Sequence, residues 1–62
     1  MVPEEDIDLF ARGYFGKHRS DAAGKARQTA VEMAQCGDEE GEQVWLSVAA
    51  RIDTLSADNR RR

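Results

Sequence analysis

One cysteine, one proline and four aromatic residues (two Phe, one Tyr, one Trp) are all that this 62-residue chain holds of three classes that often carry structure or chemistry. With a single thiol, Cys36, no disulfide can form within the chain and no Cys-x-x-Cys pair exists to start a zinc site. With its single proline at position 3, nothing after that point forbids a helix. No apolar run approaches the roughly 18–20 residues that span a bilayer. The opening MVPEEDID is acidic, where a secretory signal is basic and then apolar, so the chain is expected in the cytoplasm. A formal net charge of −3 and a pI near 5.0 remove any global attraction to nucleic acid or to an anionic membrane.

What is present reads as helix. Alanine, leucine, glutamate, arginine and glutamine are plentiful, and β-branched residues never run together long enough for a strand. Pro3 with Glu4, Glu5, Asp6 and Asp8 marks the start of a first helix reaching Phe15 or Lys17, because these carboxylates favour the positive end of the dipole. Its apolar positions Ile7, Phe10, Ala11, Tyr14 and Phe15 fall three and four apart and make one stripe, with Leu9 off it. Gly16 is the natural stop. Ser20 or Asp21 caps a second helix, about Asp21 to Cys36. Its polar residues Lys25, Gln28, Glu32 and Gln35 leave two dry sides of small residues, which places this helix in the middle of the fold. Gly37 ends it and Asp38 caps a third, whose Gly41, Val44, Trp45, Val48, Ile52 and Leu55 share a face through Leu55 or Ala57.

The expected fold is therefore all-α, with three helices. Helices 2 and 3 form an antiparallel hairpin, and a shorter N-terminal helix packs on its alanine side. Residues 1–57 are read as one small domain and 58–62 as a flexible basic tail. A chain this short buries a small share of its surface, so its core is thin and self-association is expected.

Candidate chemistry is scarce. The segment CGDEEGEQVW, Cys36 to Trp45, gathers a thiol and four carboxylates, yet each residue there also suits a corner between two helices. The spacing fails the calcium-loop pattern: counted from Asp38, glycine arrives at position four, whereas the pattern needs it at six. Cys36 and His18, the one conceivable nucleophile–base pair, would lie roughly 25 Å apart at 1.5 Å per residue of helix. Cys36 is read instead as a small, largely buried residue. Carboxylates at the start of helix 3 would repel phosphate if that helix entered a DNA groove. No enzyme activity, metal, cofactor, membrane contact or small-molecule substrate is inferred. The leading expectation is a regulatory or protein–protein interaction module, a homodimer or a binder of another protein, with Leu9, Phe15, Trp45 and Leu46 as the candidate interface. The alternative is weak nucleic-acid association through Arg60, Arg61 and Arg62, helped by the basic segment Lys17 to Arg19.

Two segments bear a likeness. His18-x-x-Asp21-Ala22 and Gly37-Asp38-x-x-Gly41-x-x-Val44-Trp45, with Val48, Ile52 and Leu55 following, resemble a family of short helical proteins of alphaproteobacteria classed as a domain of unknown function. The likeness covers about Phe10 to Leu55 and implies a small free-standing protein, with no assigned activity or site. Members of that family often carry glycine after the histidine, where this chain has Arg19.

Overall fold

The computed structural model describes the backbone of residues 3–60 and the side chains through Asp58. Those residues are all-α: α1 spans Glu4–His18, a 3-10 turn spans Arg19–Asp21, α2 spans Ala22–Gln35 and α3 spans Glu39–Arg60. Helical segments follow one another with no loop between them from residue 4 to 35, so the trace forms two long stretches. The first is divided by the 3-10 turn.

The ends of α1 follow from its charges. The Pro3 carbonyl accepts the backbone N–H groups of Asp6 and Ile7 at 3.1 and 3.2 Å, and Glu4, Glu5 and Asp6 occupy the first turn. Lys17 and His18 occupy the last, where positive charge suits the dipole. Gly16 does not end the helix as expected. The break comes at Arg19, whose φ of 56° and ψ of −123° make it the one non-glycine residue with positive φ among those described. A side chain with a Cβ is strained in that conformation. Asp21, immediately before α2, makes no side-chain capping bond, so the expected cap is replaced by the 3-10 turn itself.

Three differences in packing follow from residue size. First, α3 rather than α2 is the central element: it lies against α2 and against α1, while α1 and α2 barely touch. Large residues on α3 account for this, since Val48 and Ile52 are fully buried and Val44, Trp45 and Leu55 pack around them. Second, α2 has one dry side and not two. It buries Ala22, Ala26 and Ala30, a stripe at spacing four, and leaves Val31 and Ala34 exposed. Third, α1 has 15 residues against 14 for α2, so the N-terminal helix is not the short one, and it packs mainly on α3 rather than across α2. The third helix also passes its expected end at Leu55 or Ala57 and runs to Arg60. Ser56, Ala57 and Asp58 contain nothing that breaks a helix.

The core is as thin as the length implies. Its fully enclosed members are Ala11, Ala22, Ala26, Ala30, Val48, Ala49 and Ile52. Ion pairs fix how the helices sit. Arg27 meets Asp53 across α2 and α3, and Arg51 reaches Glu4 at 3.4 Å and Asp8 at 3.5 Å across α3 and α1. Exposed pairs of this kind contribute about 0–1 kcal/mol each, so they select register more than they stabilise.

Arg19 supplies a direct test. Replacing it by glycine removes the Cβ conflict, and Arg19→Gly is expected to raise stability by about 1 kcal/mol, with a thermal midpoint about 4–8 °C higher. Thermal and urea unfolding followed by circular dichroism measure it; unchanged or lower midpoints would show that the turn carries no strain.

Candidate functional site

The Cys36–Trp45 segment is a corner built entirely from backbone needs. Gly37 takes φ +80°, its N–H donates to the Ala34 carbonyl at 3.0 Å, and the Asp38 N–H donates to the Met33 carbonyl at 2.8 Å. These two bonds close the end of α2 in the Schellman pattern. Asp38 then opens α3: its Oδ1 accepts the Gly41 N–H at 2.8 Å, and its carbonyl accepts the Glu42 N–H at 3.0 Å. One residue thus ends one helix and starts the next. Gly41 has its own reason to lack a side chain, because a Cβ there would lie 2.6 Å from Asp38 Oδ2 and 3.1 Å from Met33 Sδ. Glu39, Glu40 and Glu42 follow in the first turn of α3, at the positive end of its dipole.

Cys36 departs from expectation. It is exposed, because it sits at the end of α2 beyond the buried alanine stripe. No group of three or more His, Cys, Asp or Glu side chains able to hold a metal ion occurs among the described residues. His18 closes α1 and is separated from Cys36 by the whole of α2, which at 14 residues is about 21 Å long. The imidazole has other company: its centroid lies 4.4 Å from that of Tyr14. Tyr14 in turn stacks on Phe10 at 5.9 Å, and Trp45 meets both rings edge-on, at 5.2 Å from Phe10 and 5.5 Å from Tyr14. This ladder of positions 10, 14 and 18 pins α1 to α3 through edge-to-face contacts.

The four interface candidates therefore separate. Trp45 and Phe15 are half-buried and pack against the core. Leu9 is 69% exposed and Leu46 42% exposed. Leu9 stands two residues from both Ile7 and Ala11, on which α1 rests, so it faces outward. Leu46 stands two residues from Val44 and Val48 and faces away from α1. The two leucines share no patch.

Val31, 49% exposed, was not among the candidates. It lies one helical turn beyond Arg27, and Leu46 lies two turns before Asp53. Because Arg27 and Asp53 pair, Val31 and Leu46 stand on the same flank of the α2–α3 hairpin, both displaced from that pair toward the corner. The relevant signal is only visible once the hairpin register is known. Phe10 is 48% exposed, although its ring meets Trp45.

Of the basic residues, Arg60 ends α3, while Arg61 and Arg62 lie outside the described residues. Lys17, Arg19 and Lys25 are exposed, and Arg27 is engaged by Asp53. No helix among the described residues is long and apolar enough to cross a membrane. No protein-family model, curated protein or solved structure matches the chain.

The corner predicts a contrast between glycines. Gly13→Ala, with open space around it, is expected to stabilise by up to about 1 kcal/mol from helix propensity. Gly41→Ala is expected to lose that gain because it displaces the Asp38 cap, and Asp38→Ala to cost about 1 kcal/mol. Equal gains at positions 13 and 41 in urea melts would mean that the cap contributes nothing.

Proposed function

We propose that the chain is a non-enzymatic interaction or regulatory module that works as a homodimer in the cytoplasm. In this reading it is a three-helix unit, an antiparallel hairpin with an N-terminal helix laid across α3, and its self-association surface is the hairpin flank. The observation that carries the reading is the exposure of Val31 and Leu46, two large apolar side chains that the Arg27–Asp53 register sets on one flank of a protein whose core is mostly alanine. A two-fold axis through that flank sets each apolar pair against its counterpart in the second copy. Ala34, on the same stripe of α2 as Arg27 and Val31, allows close approach. The dimer buries apolar surface that one chain is too short to enclose.

Two further points support the reading. The residues that could have formed a nucleophile and base stand at opposite ends of α2. An exposed Cys36 thiol on a self-associating protein is also best tolerated in a reducing compartment. We also take the chain as a member of the short alphaproteobacterial family it resembles; the support is confined to the two segments ending at Ala22 and Trp45. The Arg60–Arg62 alternative gains no support from the described residues.

Sedimentation equilibrium on the intact protein tests the dimer. The parent chain is expected to be dimeric at micromolar concentration. Val31→Lys/Leu46→Lys is expected to be monomeric, with its helical circular dichroism spectrum unchanged because both positions are exposed. A parent that stays monomeric at high micromolar concentration, or a double variant that stays dimeric, would refute the flank as the contact.

A further inference from the structure

The buried stripes of α1 and α2 are in phase although a turn separates the two helices. Ile7, Ala11 and Phe15 on α1 and Ala22, Ala26 and Ala30 on α2 are buried or half-buried, and each set runs at spacing four. His18, also half-buried, joins them, three residues after Phe15 and four before Ala22. From Ala11 to Ala22 is about three turns of α-helix at 3.6 residues per turn, so a straight helix would bring both to the same face. Nothing in the closed arrangement requires this phase, because α1 and α2 each reach α3 separately.

The turn itself favours the straight form. Arg19 holds a φ of 56° that its Cβ resists, and a helical Arg19 is free of that strain. Asp21 makes no side-chain cap that would be lost. No proline or glycine stands between Lys17 and Ala23, so the segment is compatible with helix. Straightened, residues 4–35 form one rod of about 48 Å at 1.5 Å per residue. The cost is the contact of α1 with its own α3, and that contact is separable. Helix α1 barely touches α2, encloses only Ala11 completely, and is tied to α3 by the surface pairs of Glu4 and Asp8 with Arg51. The α2–α3 hairpin keeps its closed corner throughout.

The closed chain already specifies what covers α1 in the straight form. Ile7, Ala11 and Tyr14 pack with Val44, Trp45 and Val48 of α3, and the rings of Phe10 and Tyr14 meet Trp45 edge-on. When α1 swings away, that face of α3 stands open on each straightened copy. Reciprocal exchange restores every α1–α3 contact and removes the strain at both hinges; short, strained hinges favour such exchange. We propose that two copies of the chain exchange α1 about Arg19, forming a dimer of two long helices and two α3 helices in which α1 of each copy lies on α3 of the other. The exchanged contact does not use Val31 or Leu46 and is independent of the hairpin flank.

The experiment uses the full chain carrying Val31→Lys/Leu46→Lys, which removes the flank contact. It is refolded from urea at millimolar concentration, then diluted to micromolar for sedimentation velocity. A dimer that survives dilution and returns only slowly to monomer is expected, because separation requires both copies to open. Arg19→Ala, which keeps the Cβ and favours helix, should increase the dimer. Arg19→Gly, which relieves the closed form and weakens the straight helix, should lower the dimerisation constant about tenfold or more, with two hinges acting together. A nitroxide on Gly13→Cys in a Cys36→Ser chain, mixed before refolding with an isotopically enriched chain that carries no nitroxide, locates α1. In the dimer it should broaden the Trp45 indole signal of the enriched chain. No dimer after refolding, a dimer equally stable with Arg, Ala or Gly at position 19, or a dimer whose Trp45 signal stays sharp would overturn the exchange. Should the nitroxide chain fail to fold, the position-19 series decides alone. The flank is judged separately, on the parent at micromolar concentration without refolding, so failure of one contact is not failure of the other.

Discussion

The close contact of alanines between α2 and α3 is the constraint on which the remaining structure rests. Ala22, Ala26 and Ala30 form a flat buried strip with no side-chain bulk, and Val48, Ala49 and Ile52 share one core cluster with Ala22 and Ala26. A strip of small residues lets two backbones approach, and dispersion contacts then accumulate over many atoms even though each buried side chain is small. The same strip limits the protein, because alanine removes little apolar area from water. Hence α3 must find further contacts on its other side, and it finds them in Ile7, Ala11, Tyr14 and Phe15 of α1. The order of the layers, with α3 in the middle, is a consequence of which helix owns the larger side chains.

Local features were legible in the sequence and relational ones were not. Gly37 and Asp38 specify a corner because capping is decided within six residues, and their bonds bear this out. The shared face of Val44, Trp45, Val48, Ile52 and Leu55 was equally readable from spacing. Which helix lies in the middle was not, because small residues on both sides of α2 look equally dry on a helical wheel whether covered or bare. Gly16 misled for a different reason: glycine permits a helix end without requiring one. The stop falls at Arg19, where the chain accepts a strained conformation that no propensity for arginine would have indicated. The candidate surface suffered most, since grouping Leu9, Phe15, Trp45 and Leu46 required knowing the crossing of α1 on α3.

Charge is distributed differently over the hairpin flank and over the groove between α1 and α3. The hairpin flank carries Arg27 beside Asp53, a neutral pair whose field decays quickly. Glu4 of α1 and Glu39 and Glu40 of α3 line one groove at the other side of α3. A surface that must pair with its own image under a two-fold axis has to be near neutral or to alternate in sign. The apolar residues of this chain are thus divided between an electrically neutral place and an acidic one, and that division follows from the corner. By reversing the chain after Gln35, it starts α3 with Glu39, Glu40 and Glu42 at the end of the hairpin where α1 also begins. The acids that stabilise the start of α3 consequently become the rim of a groove with α1. A backbone requirement at one turn is what gives the distant N-terminal helix a charged neighbour.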